Sequence, residues 1–234
     1  MLKLENVSAA YGQSQVLWDV NLEIADAEAV TLIGRNGVGK TTLLRTISGL
    51  HPVMGGGVRL NGEQVERTPA FARARSGLAY VPQGRGLFSQ LSVHENLLMG
   101  LPALGGRGTV KREIPELVYD LFPICRDMAG RKAGNLSGGQ QQQVAIGRAL
   151  VTKPRYLLLD EPTEGIQPSI VQEIETALTR IRQELRVAVL LVEQYLDFAW
   201  AFADRYYVMQ KGRLVETGLT AETPTGAVQR YLGV

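Results

Sequence analysis

Apolar residues follow two different patterns along the chain. In the first third they alternate with polar residues, so that Val20, Leu22 and Ile24 share one face of a predicted strand. The same alternation recurs just before Asn61-Gly62, which is a typical two-residue hairpin turn. This part of the sequence therefore predicts a small antiparallel sheet.

Further along, apolar residues form short continuous runs separated by helical patterns. The runs are AVTLIG, LAYVP, YLLLDEP and VAVLLVE, which are typical of parallel strands covered on both faces. The clearest helical pattern starts at Pro168 and repeats every three or four residues to Leu185. Strands that alternate with helices predict an α/β core. A final hairpin is predicted from residues 206–209 and 213–217.

Residues 84–154 differ from the rest because helical patterns follow one another there without a strand. The segments are SVHENLLMGL, REIPELVYDLF and NLSGGQQQQVAIGRAL, and the glycine-rich LGGRG at 104–108 predicts a flexible joint between them. We therefore expect one domain over residues 1–234. Residues 1–83 and 155–234 would form the core and the antiparallel β subdomain, and residues 84–154 an inserted helical subdomain.

Composition narrows the class of protein. With 234 residues, 45% hydrophobic and 21% charged, the chain has the make-up of a soluble globular protein with a sizeable core. The net charge of +2 is too small to indicate nucleic acid or a membrane surface. The single cysteine, Cys125, excludes an internal disulfide and fits a reducing compartment. No apolar run approaches the roughly 20 residues that a membrane-spanning helix needs, so we expect no unaided crossing.

The segment GRNGVGKTT has the pattern of a phosphate-binding loop, or P-loop, between a strand and a helix. Its glycines permit a tight turn whose backbone N–H groups converge on phosphate oxygens. Lys40 adds a positive charge for the β- and γ-phosphates, and Thr41 offers a hydroxyl to Mg²⁺. The predicted nucleotide-binding residues here are Gly34, Arg35, Asn36, Gly37, Val38, Gly39, Lys40, Thr41 and Thr42.

Two predicted strands end in residues suited to hydrolysis. RYLLLDEP places Asp160 where its carboxylate can hold the metal, and Glu161 where it can orient or deprotonate an attacking water. Gln83 ends LAYVPQ, so its amide can reach Mg²⁺ or that water. Tyr11, in AAYGQ, offers a ring that can stack on adenine.

The segment NLSGGQQQQVAIGRAL predicts a second place for phosphate. Ser137 can cap the helix, and Gly138 and Gly139 leave its first N–H groups uncovered. One chain of this size has no evident use for two phosphate sites.

GRNGVGKTT, YVPQ, LSGGQ and LLLDEPT, in this order, resemble the ATP-binding cassette family over essentially the whole chain. The resemblance implies a P-loop NTPase core of the ABC-ATPase type, with ATP and Mg²⁺ as cofactors. It also implies that two chains pair head to tail. Each LSGGQ, including Ser137, Gly138, Gly139 and Gln140, would then close over the nucleotide in the partner's loop, which accounts for the two sites.

Two positions depart from the commonest family pattern. Gln194 stands where most members carry a histidine that contacts the γ-phosphate, and Gln167 stands where many carry aspartate. The resemblance implies Glu161 and Gln194 as catalytic residues, and we expect both departures to affect turnover and coupling rather than ATP binding. Glutamine at position 194 is usual in the branched-chain amino acid importer group. EPTEGIQPSI with VEQYLDFA resembles the urea-importer branch of that group.

The resemblance therefore implies the ATPase subunit of a membrane importer that drives uptake of a small polar solute. Urea is the first candidate, and branched-chain amino acids are the alternative. The implied partners are a second ATPase subunit, commonly a different chain in this group, two transmembrane permease subunits and, indirectly, an extracytoplasmic solute-binding protein. The chain would sit on the cytoplasmic face of the inner membrane. Candidate contacts with permease loops are Leu87, Phe88, Leu91, Leu97 and Leu98, although most of these residues are expected to belong to the core of the helical insertion.

Two other functions remain open. A cassette that acts on ribosomes or DNA would be expected to carry a second cassette or long heptad runs, and neither occurs, so no nucleic-acid partner is expected. A non-catalytic nucleotide sensor is disfavoured by Glu161, whereas Gln194 is compatible with it.

Overall fold

The computed structural model describes residues 1–104 and 113–232. Its strands are β1 (Leu2–Tyr11), β2 (Ser14–Ile24), β3 (Ala29–Ile33), β4 (Gly55–Leu60), β5 (Glu63–Gln64), β6 (Leu78–Val81), β7 (Tyr156–Asp160), β8 (Ala188–Val192), β9 (Arg205–Gln210) and β10 (Arg213–Leu219). Its α-helices are α1 (Lys40–Ser48), α2 (Ala70–Arg75), α3 (Val93–Leu98), α4 (Glu116–Leu121), α5 (Ile124–Asp127), α6 (Gly138–Val151), α7 (Pro168–Leu185), α8 (Leu196–Phe202) and α9 (Gly226–Gln229).

The larger sheet has six strands in the order β10-β9-β3-β8-β7-β6. The five strands from β9 to β6 are parallel, and β10 returns antiparallel to β9 as the predicted hairpin. All five residues of β3, of β7 and of β8 are buried, because side chains on both faces of a parallel sheet are covered. The carboxyl ends of β3, β6, β7 and β8 therefore lie along one edge, where the loops that follow them meet.

The smaller sheet is antiparallel, with the order β2-β1-β4-β5. Val20, Leu22 and Ile24 are all buried, as their alternation predicts. Asn61 and Gly62 join β4 to β5 with φ angles of 54° and 86°, the positive values that a two-residue hairpin turn requires. The α/β core and the flanking antiparallel sheet are thus confirmed.

Two hydrophobic clusters lie on opposite faces of the large sheet. Val30, Leu158 and Leu190 face the cluster that includes the small sheet and α1. Leu157 and Leu191 face the cluster formed with α3, α6 and α7. Alternate residues of each strand enter different clusters because successive side chains point to opposite faces.

Within the described parts of residues 84–154, there are four α-helices, α3 to α6, and no named strand. The first three of these helices pack mainly on the fourth, α6. The boundaries of an inserted subdomain stay a prediction. α4 is shorter than the pattern predicts and begins at Glu116, after Pro115, which cannot donate a helical hydrogen bond. The predicted joint at 104–108 lies almost wholly outside the described residues. Across residues 1–104 and 113–232, no helix is both long and apolar enough to span a bilayer.

The fold decides the burial of two apolar positions that the sequence pattern leaves open. Leu185 is 38% exposed at the last turn of α7, although Ile174, Leu178 and Ile181 of the same stripe are fully buried. The helix extends past the edge of the core there, so periodicity continues where burial ends. Leu97 is fully buried in the helical cluster and is removed from the candidate contact surface, whereas Phe88 is 50% exposed.

Candidate functional site

The P-loop lies between the carboxyl end of β3 and α1, at the shared edge of the large sheet. Gly37 and Gly39 have φ angles of 77° and 114°, which side-chain-bearing residues rarely adopt. A Cβ at Gly34 would lie 2.5 Å from the backbone oxygen of Met209, so only glycine fits the close approach of β9. The loop therefore keeps the tight shape that a phosphate cradle needs.

Lys40 holds its ammonium group inside this loop. The side chain is 5% exposed, and Nζ donates hydrogen bonds to the backbone oxygens of Gly34 at 2.7 Å and Arg35 at 3.1 Å. It also lies 3.5 Å from Oε1 of Glu161. The positive charge predicted to face phosphate is thus already directed toward the predicted catalytic carboxylate.

Asp160 and Thr41 meet at the end of β7, as the metal prediction requires. Thr41 Oγ1 donates to Asp160 Oδ1 at 3.2 Å, and Tyr80 OH donates to Oδ2 at 3.1 Å. Asp160 is 2% exposed, and burial raises the pKa of its carboxyl above the usual range. Its oxygen donors suit Mg²⁺, which takes one or two protein oxygens and completes its shell with water and phosphate. No group of three or more His, Cys, Asp or Glu residues occurs among the described residues to form a dedicated cage.

Tyr80 was not predicted as a site residue. It is the second-to-last residue of β6, and its hydroxyl donates to Asp160. Burial and the neighbouring Asp160 charge raise the pKa of the Tyr80 hydroxyl, so it stays a proton donor. Only the pairing of β6 with β7 brings the two side chains together.

Glu161 follows Asp160 with φ of 48°, in the left-handed region, which takes it out of the strand. Its Oε1 accepts a hydrogen bond from Gln194 Nε2 at 2.8 Å, and its Oε2 accepts one from Gln83 Nε2 at 3.3 Å. Gln83 Nε2 also donates to Glu164 at 2.9 Å. The Glu161 carboxylate is therefore contacted by three residues that were predicted from separate segments: Lys40, Gln83 and Gln194.

Gln194 connects this carboxylate to the P-loop. Its Nε2 donates to Asn36 Oδ1 at 2.8 Å as well as to Glu161 at 2.8 Å. Both amide hydrogens are thus used, and neither contact requires a proton to move. The amide at the position of the usual histidine fixes Glu161 relative to the loop.

Tyr11 ends β1 with 47% of its surface exposed. Its ring packs on the imidazole of His51, with centroids 4.2 Å apart and planes inclined by 35°. Sequence reasoning assigned His51 no role, and no sequence signal links it to Tyr11. The remaining exposed surface of Tyr11 is available for a planar ligand such as adenine.

LSGGQ forms the start of α6 as predicted. Ser137 Oγ accepts from Gln140 N at 3.3 Å, and Gln140 Oε1 accepts from Ser137 N at 3.0 Å, which is a capping box. The Gln140 side chain is therefore used by its own helix. A Cβ at Gly139 would lie 2.6 Å from Cγ2 of Ile170, so glycine is required for the packing of α6 on α7. In the part of the chain that the structure describes, no hydrogen bond joins this helix start to the P-loop of the same chain.

Comparison with known proteins identifies the family to which this chain belongs. Residues 17–164 match the family model described as "ABC transporter". The chain is 43% identical over 238 residues to the high-affinity branched-chain amino acid transport ATP-binding protein BraG of Pseudomonas aeruginosa, covering 100% of both chains. It is 36% identical to the probable branched-chain amino acid transport ATP-binding protein LivF of Archaeoglobus fulgidus, covering 95% of this chain and 93% of that protein.

Solved structures show the same fold. A dimeric ATP-binding cassette in a post-hydrolysis state, bound to ADP and phosphate, superposes with a TM-score of 0.85 and 28% identity. The match covers 94% of this chain and 99% of that one. A nucleotide-free cassette from an ABC transporter superposes with a TM-score of 0.83 and 26% identity, over 100% of this chain and 99% of that one.

A P-loop at the edge of a parallel sheet, followed along the chain by an LSGGQ helix and an acidic strand end, defines an ATP-binding cassette. The chain belongs to the ABC transporter family. It is the ATP-binding and ATP-hydrolysing subunit of an importer, and it is similar to the ATP-binding proteins of branched-chain amino acid transport. Cassettes of this family act as dimers together with membrane permease subunits, and importer ATPase subunits associate with the membrane from the cytoplasmic side.

Proposed function

We propose that this chain hydrolyses ATP with Glu161 as the general base. The observation that carries this proposal is the placement of one carboxylate among Lys40, Gln194 and Gln83 at the end of β7. Backbone N–H groups of residues 34–42 and the Lys40 ammonium bind the phosphates, and Glu161 takes the proton of the attacking water. General-base assistance of this kind contributes roughly 10²–10⁴-fold to the rate.

The metal position is proposed at Thr41 and Asp160, which already share a hydrogen bond. Gln83 would reach the same region from the end of β6. Bound Mg²⁺ neutralises charge on the phosphate oxygens. Thr41 and Asp160 would hold the ion, and Tyr80 keeps Asp160 in place through its hydroxyl.

Gln194 is proposed to orient Glu161 through one amide hydrogen. When nucleotide binds, the other hydrogen would leave Asn36 and be donated to the γ-phosphate. An amide carries no charge and transfers no proton, so Glu161 alone accepts the proton of water. Tyr11 is proposed to stack on adenine. Because every base has a π face, such stacking tolerates different bases.

The start of α6 is proposed to bind the nucleotide of a partner cassette. Ser137, Gly138 and Gly139 present a capped helix N-terminus, and a helix N-terminus attracts phosphate. Two such chains facing head to tail would form two complete sites. In the intact importer we propose a different ATPase chain as partner, two permease subunits and an extracytoplasmic solute-binding protein, with this chain at the cytoplasmic face of the inner membrane.

The transported solute is proposed to be a branched-chain amino acid. Full-length similarity to BraG at 43% identity supports this proposal. Urea is the second candidate, because EPTEGIQPSI and VEQYLDFA resemble the urea-importer branch. Uptake of labelled leucine and labelled urea, measured in cells with and without this chain, separates the two: the solute whose uptake is lost is the substrate.

The catalytic proposal is tested by ATP turnover per chain over a wide range of protein concentration. We expect turnover to rise with concentration and to be lost in Glu161→Gln, with ATP binding retained. Concentration-independent turnover from a proven monomer would contradict the head-to-tail role of Ser137. Equal turnover in Glu161→Gln and the wild type would contradict the general-base role and favour another base.

A further inference from the structure

A buried carboxylate beside Gln194 has no role in the reaction as described above. Glu193 follows β8 and is 3% exposed. Its Oε1 accepts hydrogen bonds from the backbone N of Thr163 at 3.0 Å and from Thr163 Oγ1 at 2.7 Å. Its Oε2 accepts from the backbone N of Gln194 at 3.0 Å and of Tyr195 at 3.4 Å.

The buried Glu193 carboxylate needs hydrogen-bond donors that replace the water it has lost. Burying an ionised carboxylate is costly unless donors replace its water. Burial raises the pKa of the Glu193 carboxyl, and the hydrogen bonds from Thr163, Tyr195 and Gln194 oppose that rise. Among the described residues no ion pair to Glu193 is formed, so N–H and O–H donors alone hold it. This set of contacts, Glu193 with Thr163, Gln194 and Tyr195, is named the Glu193 brace.

The Glu193 brace joins two loops that carry proposed catalytic side chains. Glu161 and Thr163 belong to the loop after β7, and Gln194 belongs to the loop after β8. The two strands are parallel neighbours with Asp160 opposite Val192, so both loops leave the same edge of the sheet. The contact between Gln194 Nε2 and Glu161 Oε1 spans the same gap at 2.8 Å.

We propose that Glu193 is a positioning residue for ATP hydrolysis, which sets the distance between Gln194 and Glu161 by binding both loops. The proposal rests on the roles proposed above for those two residues. The backbone N of Glu161 donates to Val192 O at 2.9 Å and holds the two strand ends together. The Glu161 side chain is 9% exposed but that of Gln194 is exposed, so their separation beyond the strand ends needs a further constraint. One buried side chain with an oxygen on each loop provides that constraint.

The variant Glu193→Gln tests the brace at constant side-chain size. An amide has one acceptor oxygen and one N–H₂ group, so in either orientation it faces backbone N–H groups with a donor. One loop is therefore released. The control is Asp204→Asn, because Asp204 also accepts a backbone N–H, from Ala29 at 3.0 Å, at the opposite end of β3. Asp204 differs from Glu193 in that it also pairs with Arg182 at 2.6 Å, so the control loses at least as many contacts at a place remote from both loops.

The first measurement is amide hydrogen exchange in the full nucleotide-free chain, which does not depend on hydrolysis. We expect faster exchange at Thr163, Gln194 or Tyr195 in Glu193→Gln, and no change there in Asp204→Asn. Unchanged exchange at all three amides in Glu193→Gln would refute the brace, whatever the turnover.

The second measurement is kcat for ATP and the Kd for ATP in the same proteins. We expect kcat to fall about tenfold in Glu193→Gln, with Kd changed by less than about twofold and no comparable fall in Asp204→Asn. In a Gln194→Ala background the further loss from Glu193→Gln should be less than about twofold, because both changes remove the same constraint. Equal losses in both backgrounds would show that Glu193 does not act through Gln194.

If Glu193→Gln does not fold, Thr163→Val removes one donor to Oε1 and keeps the backbone N–H. We expect a smaller fall in kcat, about threefold, again only when Gln194 is present. A loss of the same size without Gln194 would overturn the proposal. Failure of the proposed function is separate: it would appear as equal turnover in Glu161→Gln and the wild type, and leaves the exchange result standing.

Discussion

Replacing Gln194 is the most direct test of how Glu161 is oriented for catalysis. Its amide donates to Glu161 and to Asn36, each at 2.8 Å. The variant Gln194→Ala removes both hydrogen bonds and leaves the backbone contacts of Glu193 in place. The consequence for hydrolysis follows from the contact with the Glu161 carboxylate, because that contact orients the proposed general base.

A hydrogen bond to a charged group contributes about 1.5–3 kcal/mol. Gln194 is exposed, so water compensates part of the loss and the low end applies. At about 1.4 kcal/mol per factor of ten, kcat should fall roughly 10- to 30-fold in Gln194→Ala. ATP affinity should change less than kcat, because most of the proposed phosphate contacts come from residues 34–42.

The assay is phosphate release at saturating ATP, together with an equilibrium Kd for ATP. Gln183→Ala is the matched control, because Gln183 is an exposed glutamine on α7 outside the site. Gln194→His should retain most of the turnover and should add a pH dependence near the ordinary histidine pKa of about 6.5. Wild-type kcat in Gln194→Ala, or a loss confined to Kd, would refute the orienting role.

Three further predictions address packing, base recognition and charge. Gly139→Ala should destabilise the chain by about 1–3 kcal/mol, because the new Cβ would lie 2.6 Å from Ile170; a thermal midpoint no lower than that of Gly130→Ala, where a Cβ meets nothing within 4 Å, would contradict this. Tyr11→Ala should weaken ATP and GTP binding alike, by about 1–3 kcal/mol of stacking, measured as Kd; unchanged affinity would exclude Tyr11 as the platform. Burial raises the pKa of Asp160, so the ionised carboxylate lowers the stability of the folded chain at a pH above the pKa it has in the unfolded chain. Below that pH the carboxyl is protonated in both states and this cost disappears. Asp160→Asn should therefore raise the thermal midpoint of the nucleotide-free chain at pH 7, the gain vanishing as the pH falls below about 4; a gain that persists in acid would disprove this assignment.

Most of the fold was predictable because it depends on local patterns. Continuous apolar runs identified the strands of the large sheet, and alternation identified the small one. The exceptions are positions where burial depends on neighbours distant in sequence. Leu185 continues a helical stripe beyond the edge of the core, and Leu97 is covered by helices that its own segment does not specify.

The residues of the candidate site also fall into two groups, those predictable from a local motif and those that only the structure reveals. Lys40, Thr41, Asp160 and Glu161 lie in motifs whose spacing alone indicates phosphate and metal chemistry. Tyr80 and His51 have no such motif, since each acts through a residue far away in the chain. Tyr80 is 80 positions from Asp160, and only adjacent parallel strands bring the two together.

By itself the sequence determined the class of chemistry, because the P-loop and the acidic strand end need particular residue types at short, fixed separations. It also determined which loops carry those residues, through the strand and helix patterns on either side. Only the tertiary structure decided how the loops meet. The 2.8 Å contact of Gln194 with Glu161 and the two hydrogen bonds from Thr163 to Glu193 join segments about thirty residues apart, and they exist because β7 and β8 are neighbours in the sheet. Strand order is a property of the whole packed chain, and no local pattern encodes it.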